Sequence, residues 1–119
     1  MVQPYLDAVE AYGERSLLHI DGELTHTVRR PAYLLEGLFA ESTVAEPAAD
    51  ELAVAQCTLA AVAAVVTPSP LLYARVDTVR DAQGVPHLIE LEVVEPQLFL
   101  RLSESATARL ADAVQARLP

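Results

Sequence analysis

The feature that most constrains the fold is a pair of strand-like runs joined by a short turn, between residues 74 and 95. The first run, ARVDTVR, alternates polar and apolar residues, and the sequence DAQG after it is typical of a turn. The second run, HLIELEVVE, is rich in Leu, Ile and Val. Because side chains two positions apart on a strand share a face, Arg75 and Asp77 should lie on one face with Glu90 and Glu92. The apolar residues between them should face the core (Val76, Ile89, Leu91 and Val93).

Three carboxylates and an arginine on one sheet face need an explanation, since like charges on neighbouring strands repel. Mg²⁺ would neutralise them, because it takes oxygen ligands and is commonly held by carboxylates, water and substrate phosphates. An arginine on the same face suits a phosphate or carboxylate, which it binds through two parallel hydrogen bonds. The alternative is an antiparallel sheet whose polar face meets solvent and carries an incidental salt bridge.

The composition limits the possible partners. The chain has 119 residues, enough for one core, and a net charge of −9, and all of its 8 basic residues are arginine. This charge argues against nucleic acid or an anionic membrane as the main partner. The single cysteine, Cys57, excludes an internal disulfide and fits a reducing compartment, so we expect a cytoplasmic protein. Polar residues interrupt the longest apolar run, between Ala48 and Val66, so no membrane span is expected.

The remaining elements predict an α+β domain. The pair Asp21-Gly22 separates two strand-like runs and predicts a tight hairpin, whose second strand ends in Arg29 and Arg30 on opposite faces. Residues 48–66 predict a helix that is apolar nearly all round and therefore buried on most of its circumference, with Cys57 as a small core residue. Ser103 predicts the N-cap of a terminal amphipathic helix. The order of elements predicts an antiparallel sheet with helices packed on one face.

The pattern R-x-D, a D-x-x-G turn and E-x-E placed thirteen residues after the Asp resembles the metal-binding hairpin of the ATP-grasp superfamily. This superfamily includes the D-alanine–D-alanine ligases and glutathione synthetases. The resemblance implies that Asp77, Glu90 and Glu92 hold the Mg²⁺ (or Mn²⁺) ions that bridge the phosphates of ATP. It also implies that Arg75 lies near the transferred phosphate or the substrate carboxylate. Glu92 departs from the family pattern, which has Asn there, and adds a negative charge.

The same resemblance covers nearly the whole chain, as the C-terminal half of the fold. VQPYL resembles the hinge strand whose backbone hydrogen-bonds adenine, which implies nucleotide contacts for Gln3, Tyr5 and Leu6. Glu14 falls where the family has a residue that contacts the ribose, and Arg29 or Arg30 where a basic residue is directed at the phosphates or the acyl substrate. The alternatives are an ordinary edge strand with a polar turn, and a charged strand end in solvent.

The function implied is that of an ATP-dependent carboxylate–amine ligase that phosphorylates a small-molecule carboxylate and lets an amine displace the phosphate. In the family, lysines on earlier subdomains grip the phosphates, and this sequence has no lysine. We therefore expect residues 1–119 to form one domain, a partial ATP-grasp fold without those subdomains, that is inactive alone. One alternative is a non-enzymatic module that forms a homodimer through helix 48–66 and the apolar patch Tyr33–Phe39. Another is a divalent-metal-binding domain without nucleotide.

Overall fold

The computed structural model describes residues 4–32, 41–66 and 69–119. In these residues five strands form one sheet in the order β3-β2-β1-β4-β5, and every pairing is antiparallel. The strands are β1 Glu14–Ile20, β2 Glu23–Arg30, β3 Thr43–Val44, β4 Tyr73–Arg80 and β5 Pro86–Glu92. The helices are α1 Val9–Tyr12, α2 Ala49–Val65 and α3 Glu104–Gln115, and a 3₁₀ turn covers Leu100–Leu102. The predicted α+β class with an antiparallel sheet is confirmed.

Both predicted hairpins are present. Asp21 and Gly22 have φ angles of 53° and 79°, the pair of positive values that a two-residue type I′ turn requires. In the β4–β5 turn, the Asp81 side chain accepts hydrogen bonds of 2.9 Å from the amides of Gln83 and Val85. The short polar sequences between the runs therefore set the pairing of the two strands within each hairpin.

The core lies on both faces of the sheet, because successive residues of β1 are buried on opposite sides. Leu17 packs with Val76 against Ala55 of α2. On the other face, Leu18 packs against Phe99. Ile20 packs on that same face against α3 residues Ala106 and Ala113. The expectation that the helices share one face is therefore wrong. With Leu17, Leu18 and Ile20 all fully buried, the strand needs cover on both sides, and one layer of helices supplies only one.

Helix α2 keeps the predicted length but not the predicted burial. Its buried residues are Glu51 and Ala55, while Val65 and Val66 beyond the sheet are 84% and 72% exposed. Cys57 is exposed, so the prediction that it is a small core residue is wrong. A helix on a sheet is covered along one stripe, and nothing else in the described residues covers the outer side of α2. None of the helices in the described residues combines the length and the apolar character that a membrane span requires.

The predicted N-cap near the C-terminal end is present, whereas the predicted hinge strand is absent from the described residues at the N-terminal end. At the C-terminal end, the Ser103 side chain accepts a hydrogen bond from the Ala106 amide and caps α3 as predicted. At the N-terminal end, Gln3 lies outside the described residues, and the expected hinge strand is wrong for Pro4–Leu6, which have no strand pairing. Pro4 has no N–H to offer a neighbour, and the Leu6 carbonyl accepts from the Val9 amide at 3.0 Å, which begins the turn into α1.

Candidate functional site

The register of β4 and β5 brings the predicted charged residues of the hairpin together. Arg75 lies opposite Glu92, and Asp77 lies opposite Glu90. On its other side, β4 pairs with β1 so that Asp77 lies opposite Ser16 and Arg75 opposite Leu18. The charged face is therefore the α3 side of the sheet, where the C-terminal segment covers Leu18.

Arg75 bonds to all three predicted metal ligands. Its Nε lies 3.0 Å from each carboxylate oxygen of Asp77, and its Nη2 donates to Asp77 at 2.9 Å and to Glu90 at 3.0 Å. Its Nη1 forms an ion pair with Glu92 at 2.8 Å. Arg75 is only 4% exposed, so these bonds form in an environment that screens charge weakly.

A second arginine reaches the same cluster from β2. Asp77 is fully buried and also accepts a hydrogen bond of 2.7 Å from Nη2 of Arg30. Arg30 in turn forms an ion pair with Glu14 at the start of β1. The cluster thus holds four carboxylates and two guanidinium groups. Burial, together with the nearby Asp77 and Glu92, raises the pKa of Glu90, which is consistent with this excess of negative charge.

The donor chemistry of the cluster fits Mg²⁺, but the oxygens are not arranged around a common point. Among the described residues, no group of three or more histidine, cysteine or acidic side chains is disposed to hold a metal ion. The oxygens of Asp77, Glu90 and Glu92 are directed at Arg75 instead. The role of these residues as metal ligands therefore stays a prediction.

The two arginines at the end of β2 take opposite faces. Arg30 joins the cluster, whereas Arg29 donates from Nε to the carbonyl of Tyr12 at 3.0 Å and from Nη2 to that of Ala11 at 3.2 Å. Arg29 therefore fixes the end of α1 and is not part of the charged face. Of the two residues predicted to meet the phosphates, the structure brings only Arg30 to the cluster.

A depression of about 240 Å³ lies beside the cluster. Its lining includes the predicted nucleotide contacts Tyr5, Leu6 and Glu14, joined by Pro4, Val9, Val79 and Ile89. Val79 is not among the residues predicted from the sequence, and Ile89 lines the depression although its place in the alternation predicted that it faces the core. The register shifts opposite Asp77/Thr78, which interrupts the alternation of β5 at Ile89, and no sequence signal marks this bulge.

Glu14 is held in place by the residues before it. Gly13 has a φ of 75°, and a Cβ there would lie 2.5 Å from the Arg30 carbonyl oxygen, so only glycine lets this backbone approach β2. The guanidinium of Arg15 stacks 3.8 Å from the centre of the Tyr12 ring. These contacts fix the position of Glu14 between the depression and Arg30.

Known proteins resemble this chain in sequence and in fold. No family model matches the chain. The chain is 36% identical over 129 aligned residues to the cycloserine biosynthesis protein DcsG of Streptomyces lavendulae, and the alignment covers 99% of this chain. The chain spans about 42% of the length of that relative.

Two solved structures have the same fold in the matching region. The crystal structure of D-cycloserine synthetase DcsG superposes with a TM-score of 0.89 at 35% identity, covering 98% of this chain and 42% of that one. The D-alanine–D-alanine ligase from Bacillus anthracis complexed with ATP superposes with a TM-score of 0.58 at 22% identity, covering 87% and 36%. The predicted resemblance is thereby confirmed at the level of homology and fold: the chain is homologous to part of DcsG and shares its fold with the matching part of a D-alanine–D-alanine ligase.

Proposed function

We propose that this chain is the C-terminal ATP- and metal-binding portion of an ATP-dependent carboxylate–amine ligase that acts through an acylphosphate. The observation that carries the proposal is the position of Glu14, which lines the depression and also forms an ion pair with Arg30 in the charged cluster. An apolar surface suited to a nucleobase is therefore adjacent to groups suited to phosphates. The homology to DcsG supports the ligase class.

Each residue of the cluster has a role in this proposal. Asp77, Glu90 and Glu92 are the oxygen donors for Mg²⁺ or Mn²⁺, which when bound neutralises charge on phosphoryl oxygens. Arg30 and Arg75 provide guanidinium groups that match the oxygens of a phosphate or of the substrate carboxylate. The reaction transfers the γ-phosphoryl group of ATP to the carboxylate. An amine then attacks the acyl carbon, and phosphate leaves.

Tyr5, Leu6, Val79 and Ile89 contribute the apolar surface for the base, and Glu14 is placed to accept hydrogen bonds from the ribose hydroxyls. In the ATP-grasp superfamily, which this chain resembles, the lysines that bind the phosphates belong to earlier subdomains. All 8 basic residues of this chain are arginine, so we expect the chain alone to have no ligase activity. Ligation of any amine by the purified chain would contradict this part of the proposal.

Calorimetric titration of ATP in the presence and absence of Mg²⁺ tests the binding function. The site variant combines Asp77→Asn with Glu90→Gln, which removes charge but preserves shape. A matched control combines Asp112→Asn with Glu104→Gln on α3, which removes the same charge away from the cluster. We expect wild type to bind ATP only when Mg²⁺ is present. The site variant should raise the Kd for ATP about tenfold or more, which corresponds to the loss of an interaction worth about 1.4 kcal/mol. Binding that needs no metal, or that the site variant retains, would contradict the proposal.

The second candidate function is a homodimerising module that uses the groove between α2 and the edge strand β5; the Tyr33–Phe39 patch lies outside the described residues. A shallow groove there is lined entirely by uncharged residues, Cys57, Thr58, Ala61, Val62, Val65, Val66, Leu88 and Leu91. Because the chain has a net charge of −9, two copies would repel through most other surfaces and would meet most readily here. Sedimentation of Val65→Glu would then give a monomer where wild type gives a dimer, and Val94→Glu, at a valine 76% exposed outside this groove, would not. A monomeric wild type would contradict this candidate.

A further inference from the structure

Arg75 uses all three of its side-chain nitrogens on the residues proposed as metal ligands. Nε bonds to Asp77, Nη2 to Asp77 and Glu90, and Nη1 to Glu92. A metal ion held by these carboxylates needs their oxygens to converge on it. They cannot do so while they are directed at the guanidinium, and a divalent cation beside the guanidinium would also be repelled by it.

We propose that Arg75 is an exchangeable counter-ion: it and the divalent metal bind the same three carboxylates in turn, and metal binding displaces it. This inference rests on the proposed metal role of Asp77, Glu90 and Glu92. It adds that the metal-free chain is folded around an internal cation that occupies the metal's place.

The second arginine makes the exchange possible without leaving a buried charge unpaired. Asp77 is fully buried, and an isolated carboxylate there would destabilise the fold strongly. Arg30 donates to Asp77 at 2.7 Å from β2, independently of Arg75. When Arg75 withdraws, Asp77 therefore keeps one charged partner. Glu90 and Glu92 are partly exposed and can meet water or the metal.

The exchange determines the order in which the metal and the substrate bind at the site. In the metal-free chain each of the three side-chain nitrogens of Arg75 contacts a carboxylate, so the guanidinium has no free edge from which to bind a phosphate or carboxylate oxygen pair through two parallel hydrogen bonds. Displacement by metal frees the guanidinium beside the cluster, where those oxygens are proposed to lie. Arg75 thus becomes available to the substrate only after the metal has bound.

Titration with Mn²⁺ alone, followed by the electron paramagnetic resonance of free Mn²⁺, tests the exchange without nucleotide or turnover. Arg75→Gln removes the competing cation, and we expect Mn²⁺ to bind about tenfold more tightly, a change of about 1.4 kcal/mol. Arg75→Lys keeps a cation at this position and should bind Mn²⁺ as weakly as wild type. Arg101→Gln is the matched control, because it removes an exposed arginine of the 3₁₀ turn and the same formal charge. Equal affinities for wild type and Arg75→Gln would overturn the inference, as would absence of Mn²⁺ binding to folded Arg75→Gln.

A second measurement uses wild type only and does not depend on the folding of a variant. The chain's 8 basic residues are all arginine, so the side-chain Nε–H resonances form a small, assignable set. Addition of Mg²⁺ should shift the Arg75 resonance and leave that of Arg29 in place. An Arg75 resonance that stays unchanged at saturating Mg²⁺ would overturn the exchange. A wrong assignment of the metal ligands would give a different result. In that case Mn²⁺ would still bind to the variant that combines Asp77→Asn with Glu90→Gln.

Discussion

The phenol of Tyr12 donates a hydrogen bond of 2.8 Å to the carboxylate of Glu51, and so joins the residue before Gly13 to the first turn of α2. Glu51 is fully buried, and its other oxygen accepts from the Ala48 amide at 2.9 Å. Arg80 pairs with the oxygen that faces Tyr12, at 3.3 Å. A buried carboxylate thus connects α1, α2 and β4, on the sheet face opposite the charged cluster.

Replacing Tyr12 by Phe should lower the free energy of unfolding by about 1.5–3 kcal/mol, because a hydrogen bond to a charged, buried group is lost. The ring and its stacking with Arg15 remain, so the change isolates the hydroxyl. Urea denaturation followed by far-UV circular dichroism measures the difference.

Tyr5→Phe is the matched control. Its hydroxyl donates to Glu10 at 3.2 Å in an exposed pair, and its removal should cost less than about 0.5 kcal/mol. Equal losses in the two variants would show that the Tyr12–Glu51 bond contributes no more than a surface contact.

The stability of the chain should fall as the pH is lowered from about 7 to about 5, because of buried histidine. His19 is only 6% exposed, and burial lowers its pKa, although the Leu17 backbone and Glu23 act in the opposite direction. Burial likewise lowers the pKa of His26. Below about pH 6.5 these histidines bind protons in the unfolded chain, whereas in the folded chain their lowered pKa values keep them neutral. The free energy of unfolding therefore falls by up to about 1.4 kcal/mol per pH unit for each histidine.

Urea unfolding of His19→Gln at a series of pH values should show a shallower slope than wild type. His26→Gln should also show a shallower slope, because burial lowers the pKa of His26 as well. Glu90 acts in the opposite direction at lower pH, near its ordinary pKa of 4.5, because a raised pKa favours the folded state on protonation. A wild-type slope in His19→Gln would contradict this assignment.

Local sequence patterns predicted the elements that local forces determine. The Asp21-Gly22 turn needs positive φ angles, and the Ser103 cap needs only the Ala106 amide within its own first turn. The grouping of Arg75 with Asp77, Glu90 and Glu92 followed from the two-residue alternation within each strand and from the expectation that the apolar residues between them face the core.

Features set by distant partners were not predictable in this way. Tyr12 and Glu51 are 39 positions apart, and neither residue type in its local context indicates the other. Alternation showed that Arg29 and Arg30 diverge, but only the β1–β2 register shows which one meets Asp77. The bulge that moves Ile89, and the placement of the helices on opposite faces, likewise depend on tertiary packing.

Because Arg29 and Arg30 lie on opposite faces of the sheet, a comparison of the two tests the site directly. Arg30→Gln removes a guanidinium bonded to Asp77 and paired with Glu14, and should weaken metal-dependent ATP binding about tenfold, as expected for one lost charge-assisted interaction of about 1.4 kcal/mol. Arg29→Gln removes the same charge one residue away, on the opposite face, where the side chain bonds to the carbonyls of Ala11 and Tyr12. It should change ATP affinity by less than about twofold, because electrostatic effects at that distance are screened by salt. Calorimetry at moderate ionic strength, on variants shown to be folded, measures both. A larger loss for Arg29→Gln than for Arg30→Gln would show that the phosphates do not approach the charged cluster.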